Sequence, residues 1–251
     1  MIASLIMYDR PELAAAHARY WEAIRQGLAD RGIDAPTDLS QEGERFSVWN
    51  DPGLILSQTC GMPYRLWLHD KVSLVGTPDY GVQGCLPGYY RSAIVVRRDD
   101  DREDLQDFKT ATFAYNQTHS QSGYAAPFAH LKPYAFWFEN RLEKGLHSNS
   151  ARAVAEGNAD IAALDAVTWR LMERYDDFAG SLRVLAWTEP TPGLPYIAAA
   201  TAGRALTFAA VESAIAALEP EDRELLSLRG IVAIPKERYL AVPNPDTPGM
   251  H

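Results

Sequence analysis

The segment from Asn116 to Tyr124 reads Asn-Gln-Thr-His-Ser-Gln-Ser-Gly-Tyr and carries the clearest chemistry in the sequence. It follows a strand-like run and opens a helix-like one. Helix amino-termini bind anions, because they offer unpaired N–H groups and the positive end of the helix dipole. The hydroxyls of Ser120 and Ser122 add donors, and Gly123 lets the backbone approach a ligand closely. The pattern favours an oxyanion site, although a serine here is also an ordinary helix cap.

Two further polar residues fall at the ends of elements. His147 precedes Ser-Asn-Ser at a second helix start, where a ring nitrogen could donate to an oxyanion. Asp165 closes the apolar run 161–164, and α/β proteins bind ligands beyond the carboxyl ends of their strands. The alternatives are a simple surface or core role for His147 and a helix-capping role for Asp165.

A serine hydrolase is the enzymatic alternative, since Ser120 or Ser122 with His147 and Asp165 supplies the residue types of a triad. The local sequence argues against it, because neither serine has the glycine two residues earlier that a nucleophile elbow requires. The six histidines show no metal-binding spacing, and no nucleotide-binding glycine motif occurs. We therefore expect a binding protein with no catalytic residue, metal or cofactor.

Strand-like and helix-like segments alternate along the chain, which predicts an α/β fold. Leu13, Tyr20 and Leu28 lie on one helical face that ends before Gly32. The strands expected with most sequence support are 2–8, 72–77, 92–97, 110–115, 160–164, 182–187 and 196–200. A strand at 44–48, a short helix from Asp51 to Leu56 and a helix from Pro133 to Gly145 are also expected.

The strongest linker signal is the segment 188–195, Thr-Glu-Pro-Thr-Pro-Gly-Leu-Pro. The chain is expected to leave one lobe near 91–96 and to return near 190–197. This predicts a first lobe of residues 1–92 plus 196–251 and a second of 93–195, joined by a hinge, with a ligand cleft between them.

Five passages in order resemble the substrate-binding proteins of phosphate, phosphite and phosphonate ABC importers. They are 58–64, 88–92, 120–124, His147 with 154–162, and Asp165; the segment 191–195 supports them. The resemblance covers roughly residues 45–200. It implies a two-lobed periplasmic-binding-protein fold of the second type, closing on a small phosphonate- or phosphate-like oxyanion.

The resemblance also implies a set of ligand-binding residues. Carried over position by position, they are Tyr64, Tyr90, Ser120, Gln121, Ser122, His147 and Asp165. Gln121 departs from the hydroxyl residue expected at its position. The implied partners are the oxyanion and the membrane subunits of an ABC transporter. A cytosolic ligand sensor and an enzyme built on the same fold are the other possibilities, because a fold does not fix a function.

Composition narrows the class of partner. The net charge of −9 and the pI of about 5.2 argue against nucleic acid, and no apolar run is long enough to span a membrane. The residues from Met1 to Tyr8 resemble a first strand more than a signal peptide, so the sequence fits a periplasmic mature chain or a cytoplasmic protein. Cys60 and Cys85 are expected as two buried thiols or as a disulfide.

Overall fold

The computed structural model describes residues 1–41 and 44–245. Its strands are β1 (Ile2–Ser4), β2 (Leu54–Gln58), β3 (Val72–Asp79), β4 (Tyr89–Tyr90), β5 (Ser92–Arg97), β6 (Phe113–Tyr115), β7 (Arg141–Glu143), β8 (Ile161–Asp165), β9 (Leu182–Trp187), β10 (Thr191–Pro192), β11 (Tyr196–Ala199) and β12 (Gly230–Val232). Its α-helices are α1 (Ala14–Ala29), α2 (Arg45–Trp49), α3 (Gly61–Pro63), α4 (Ala126–Leu131), α5 (His147–Ala155), α6 (Ala166–Tyr175), α7 (Arg204–Ala217), α8 (Pro220–Leu225) and α9 (Lys236–Leu240).

The chain divides into two compact units. Unit 1 comprises Met1–Tyr89 and Pro192–Ala241, and unit 2 comprises Tyr90–Thr191 together with the described residues from Val242 on. From sequence, the crossings are expected at 92/93 and 195/196, with the whole tail in the first lobe. The contacts place the crossings within β4 and β10, and they group the start of the tail with unit 2; residues 246–251 lie outside the described part of the chain.

Unit 1 contains a five-stranded sheet in the order β1-β2-β11-β3-β12. β1 and β2 run parallel, whereas β11 is antiparallel to both of its neighbours. Helix α1 packs on α7 at Gly27, where a Cβ would lie 3.2 Å from the carbonyl oxygen of Ala210. The core on one side of the sheet includes Leu54, Ile197 and Tyr239.

Unit 2 contains a second five-stranded sheet in the order β7-β6-β8-β5-β9. Both faces of its central strands are covered. Ile94 and Val96 of β5 face one core, and Ala93 and Val95 face another that includes residues of α5 and α6. This double burial explains why residues 93–96 of β5 form a continuous apolar run without polar alternation.

Three local expectations have the wrong element type, and the strand expected over 2–8 ends at Ser4. Residues 45–49 form helix α2, because the Glu44 carboxylate caps its first N–H groups. The stretch after Asp51 is a turn leading into β2, which pairs with β1. The helix expected from Pro133 lasts one 3₁₀ turn, since Ala135 has a left-handed φ of 57°, and β7 follows. Competing tertiary and capping contacts override the local pattern in each case.

Candidate oxyanion site

The polar residues of unit 2 converge because three of its strands run parallel. β6 is parallel to both β7 and β8, so the carboxyl ends of all three lie at one edge of the sheet. The segment 116–120 follows β6, His147 comes four residues after β7, and Asp165 ends β8. The antiparallel strand β5 begins at this same edge, with Ser92 opposite Asp165. The sheet topology therefore brings together residues that are far apart in sequence.

The turn at Ser120 begins a helical stretch that runs from Gln121 into α4. The Ser120 hydroxyl accepts a hydrogen bond of 3.0 Å from the Gly123 N–H, and the Ser120 carbonyl accepts from the Ala125 N–H. The first turn is a π-turn, Gln121–Ala125, and is fully buried. Helix starts present N–H groups without intrahelical acceptors, so this turn has the chemistry of an anion cradle.

Gly123 is required at this turn by close packing. A Cβ on this residue would lie 2.0 Å from the Asn116 side-chain oxygen and 3.1 Å from Cε1 of His147. Since Cβ atoms essentially never approach another atom within 3.0 Å, any larger residue here would displace the Asn116 amide. The asparagine, the glycine and the histidine thus form one packed group at the start of the helix.

Ser122 and His147 are joined by a hydrogen bond. The Ser122 hydroxyl lies 2.9 Å from Nε2 of the imidazole. When Nε2 carries a proton it donates to this hydroxyl oxygen, and the hydroxyl hydrogen is then available to a ligand. Leu146 occupies the cap position of α5 without a side-chain cap, and the Ser150 hydroxyl donates to the Leu146 carbonyl.

Asp165 caps α6 and also lies in a polar row across the sheet. Its carboxylate accepts hydrogen bonds from the N–H groups of Val167 and Thr168 at 2.8 and 3.0 Å, so the capping role is present. Ser92 lies beside it in the strand register, and the Ser92 N–H donates to the Thr188 hydroxyl. Sequence analysis did not single out Ser92 and Thr188. Each is a polar residue located where a largely apolar strand reaches this edge of the sheet.

The two tyrosines of the expected set are buried in different units. Tyr90 lies in β4 at the start of unit 2. Tyr64 lies in the core of unit 1, where its ring contacts Tyr239 edge-on with centroids 5.2 Å apart. Burial raises the pKa of Tyr64 to about 12, so its hydroxyl stays protonated. This environment favours a packing role for Tyr64 within unit 1.

Both cysteines lie in unit 1. The structure keeps Cys60 and Cys85 as two thiols, each partly buried, and a bond between them stays a prediction.

Within residues 1–41 and 44–245, the acidic, histidine and cysteine side chains form no cluster suited to a metal ion. No helix in this part of the chain is both long and apolar enough to cross a membrane.

A family model describing the phosphonate-specific periplasmic substrate-binding protein of ABC transporters matches residues 66–236, more than half of the chain. The chain belongs to this family. It is a solute-binding protein, and its family is one of binding proteins and not of enzymes. This result confirms the family resemblance, the fold class and the general function expected from the sequence.

Solved structures show the same two-lobed fold. PhnD1 from Prochlorococcus marinus, in complex with methylphosphonate, has a TM-score of 0.71 at 13% identity, covering 95% of this chain and 94% of that one. A Xanthomonas citri protein bound to chloride ion has a TM-score of 0.68 at 16% identity, covering 95% and 92%. A binding protein component of an ABC phosphonate transporter from Pseudomonas aeruginosa has a TM-score of 0.66 at 15% identity, covering 95% and 82%.

Curated sequences give a weaker likeness of another kind. Over 174 residues, 59% of this chain, the sequence is 28% identical to a bifunctional uridylyltransferase/uridylyl-removing enzyme of Xanthomonas euvesicatoria. The match spans 20% of that enzyme's length, so this chain corresponds to a small part of the curated relatives it matches. The family model covers more of the chain and agrees with the structural likenesses.

Proposed function

We propose that this solute-binding protein takes a small phosphonate-like oxyanion at the carboxyl edge of the unit 2 sheet. The observation that carries the proposal is the hydrogen bond between Ser122 and His147 beside the helix start at Gln121. These groups place hydroxyl, imidazole and backbone donors at one point. A tetrahedral oxyanion requires such convergent donors.

Each residue has a distinct part in the proposed site. The first turn after Ser120, including Gln121, supplies backbone N–H donors, and the Ser122 hydroxyl donates directly. His147 orients that hydroxyl and adds positive charge when protonated. Asp165, with its orientation fixed by two backbone N–H groups, accepts from a protonated or hydrogen-bonding group of the ligand.

The remaining assignments follow from the family. Tyr90, which begins unit 2, is proposed to add an aromatic wall and a hydroxyl. The proposed partners are the membrane subunits of an ABC importer, and the proposed location is the periplasm. The methylphosphonate found with PhnD1 makes an alkylphosphonate the first ligand to test.

Isothermal titration calorimetry on ligand-stripped protein tests the proposal with methylphosphonate, phosphite, phosphate and sulfate. A hydrogen bond to a charged group contributes about 1.5–3 kcal/mol. Loss of the Ser122 hydroxyl should therefore weaken phosphonate binding by roughly 10- to 150-fold. Ser181→Ala is the matched control, because its exposed hydroxyl donates only to the nearby Phe178 carbonyl. An unchanged Kd in Ser122→Ala, or no binding of any oxyanion by the wild type, would refute the proposal.

One observation favours a second function. A serine 2.9 Å from a histidine nitrogen is the arrangement of a nucleophile and its general base. The family assignment argues for binding, and an ester-hydrolysis assay separates the two. Turnover by the wild type that disappears in Ser122→Ala would establish a hydrolase.

A further inference from the structure

Asn116 is held at the oxyanion site by its backbone. It directly follows β6, and its carbonyl accepts a hydrogen bond of 2.8 Å from the Gly145 N–H. That contact ties the end of β6 to the segment leading into His147. The backbone at Asn116 is therefore held in place beside the helix start.

The orientation of the Asn116 amide follows from its neighbours. Its oxygen is buried and accepts no hydrogen bond from the described residues. This oxygen and Cε1 of His147 both flank the position that a Cβ on Gly123 would occupy. This packing places the oxygen against Gly123 and the whole amide beside the helix start.

The amide nitrogen has no acceptor among the described residues, in contrast to the surrounding hydroxyls. An NH₂ group carries two donors. This nitrogen is not among the buried atoms without a partner, so it is accessible to solvent and available to an anion at the helix start. Helix capping explains Ser120, but no contact with the described residues of unit 2 explains the amide nitrogen of this asparagine.

We propose that Nδ2 of Asn116 donates a hydrogen bond to an oxygen of the bound oxyanion, next to Ser122 and His147. The inference rests on the proposed function of this site and adds a ligand contact to it. A donor at this position favours an unprotonated oxygen, so the site prefers the more highly charged form of a phosphonate or phosphate.

Calorimetry with methylphosphonate on Asn116→Ala and Asn116→Asp tests the inference. Asn116→Ala should bind at least about 10-fold more weakly than the wild type, since a hydrogen bond to a charged group is lost. Asn116→Asp should bind more weakly still, because an isosteric carboxylate repels the anion. Asn140→Asp is the matched control: it adds the same charge at the amino end of β7, the opposite edge of the sheet, and should leave Kd unchanged. Thermal melts establish that each variant is folded.

The order of the variants decides between binding and packing. If Asn116→Asp binds as well as Asn116→Ala or better, then no anion lies beside this side chain, which overturns the inference. Equal affinity in wild type and Asn116→Ala also overturns it. If Ser122→Ala weakens binding while Asn116→Ala does not, then the proposed function stands and this contact alone is wrong. A wild type that binds no oxyanion refutes both.

Discussion

Replacement of Gly123 by alanine tests whether the oxyanion turn depends on close packing. The new Cβ would lie 2.0 Å from the Asn116 side-chain oxygen and 3.0 Å from its Cγ. Ordinary contact begins near 3.4 Å, so the amide must move by roughly 1.4 Å, the difference between 3.4 and 2.0 Å. Overpacking of this kind typically costs about 1–3 kcal/mol. We expect that loss in the free energy of unfolding, together with weaker oxyanion binding.

A double-mutant cycle identifies the cause of this loss. Chemical denaturation monitored by tryptophan fluorescence should be run on Gly123→Ala, Asn116→Ala and the double variant. In the Asn116→Ala background the clashing amide is gone and only the 3.1 Å approach to Cε1 of His147 remains, so Gly123→Ala should cost clearly less than in the wild-type background. Gly180→Ala is the matched control, because a Cβ added to Gly180 would meet no atom within 4 Å. An equal loss in both backgrounds would refute the packing argument.

Two further predictions concern unit 1. The Arg19 guanidinium donates two hydrogen bonds of 2.6 Å to Asp222 and lowers the pKa of that carboxyl. The stabilisation of the folded state by this ion pair is therefore present above the unfolded-state pKa of about 4. It is lost as the pH falls through the lower folded-state pKa. The Tm difference between wild type and Asp222→Asn should thus be largest near neutrality and vanish in acid, and a pH-independent difference would contradict this. Tyr239→Phe removes the hydroxyl bonded to the buried Thr77 hydroxyl, which should cost about 1–3 kcal/mol in urea denaturation; no change would show that water replaces the phenol.

The strands were predicted best where burial dictates composition. Residues 92–97 and 182–187 form strands with the expected bounds. In β5 the residues between Ser92 and Arg97 face two cores and are all apolar, whereas β9 is an edge strand that carries Arg183. Short elements at the margins were predicted poorly. Residues 45–49 include one β-branched and two aromatic residues, a composition that favours a strand. The Glu44 carboxylate caps the segment and makes it helical.

Only part of the candidate site could be predicted from the sequence. The turn at Ser120 and its position before a helix follow from residue types, as does Asp165 at a strand end. The pairing of Ser122 with His147 depends on β6 and β7 being parallel neighbours, and no local pattern encodes that. Asn116 was within the motif, but its significance depends on a distance to Gly123 that only the folded structure reveals.

The sheet order of unit 1 has a consequence for synthesis of the chain. β11 lies between β2 and β3 in this sheet, although it follows the whole of residues 90–191 in sequence. The ribosome therefore completes that segment of unit 2 before it supplies the middle strand of unit 1. Because domains fold as units during translation, unit 2 can form its sheet early, while β2 and β3 remain without their shared neighbour. Nascent chains that stop before Tyr196 should thus protect the unit 2 strands from proteolysis and leave those of unit 1 open to cleavage.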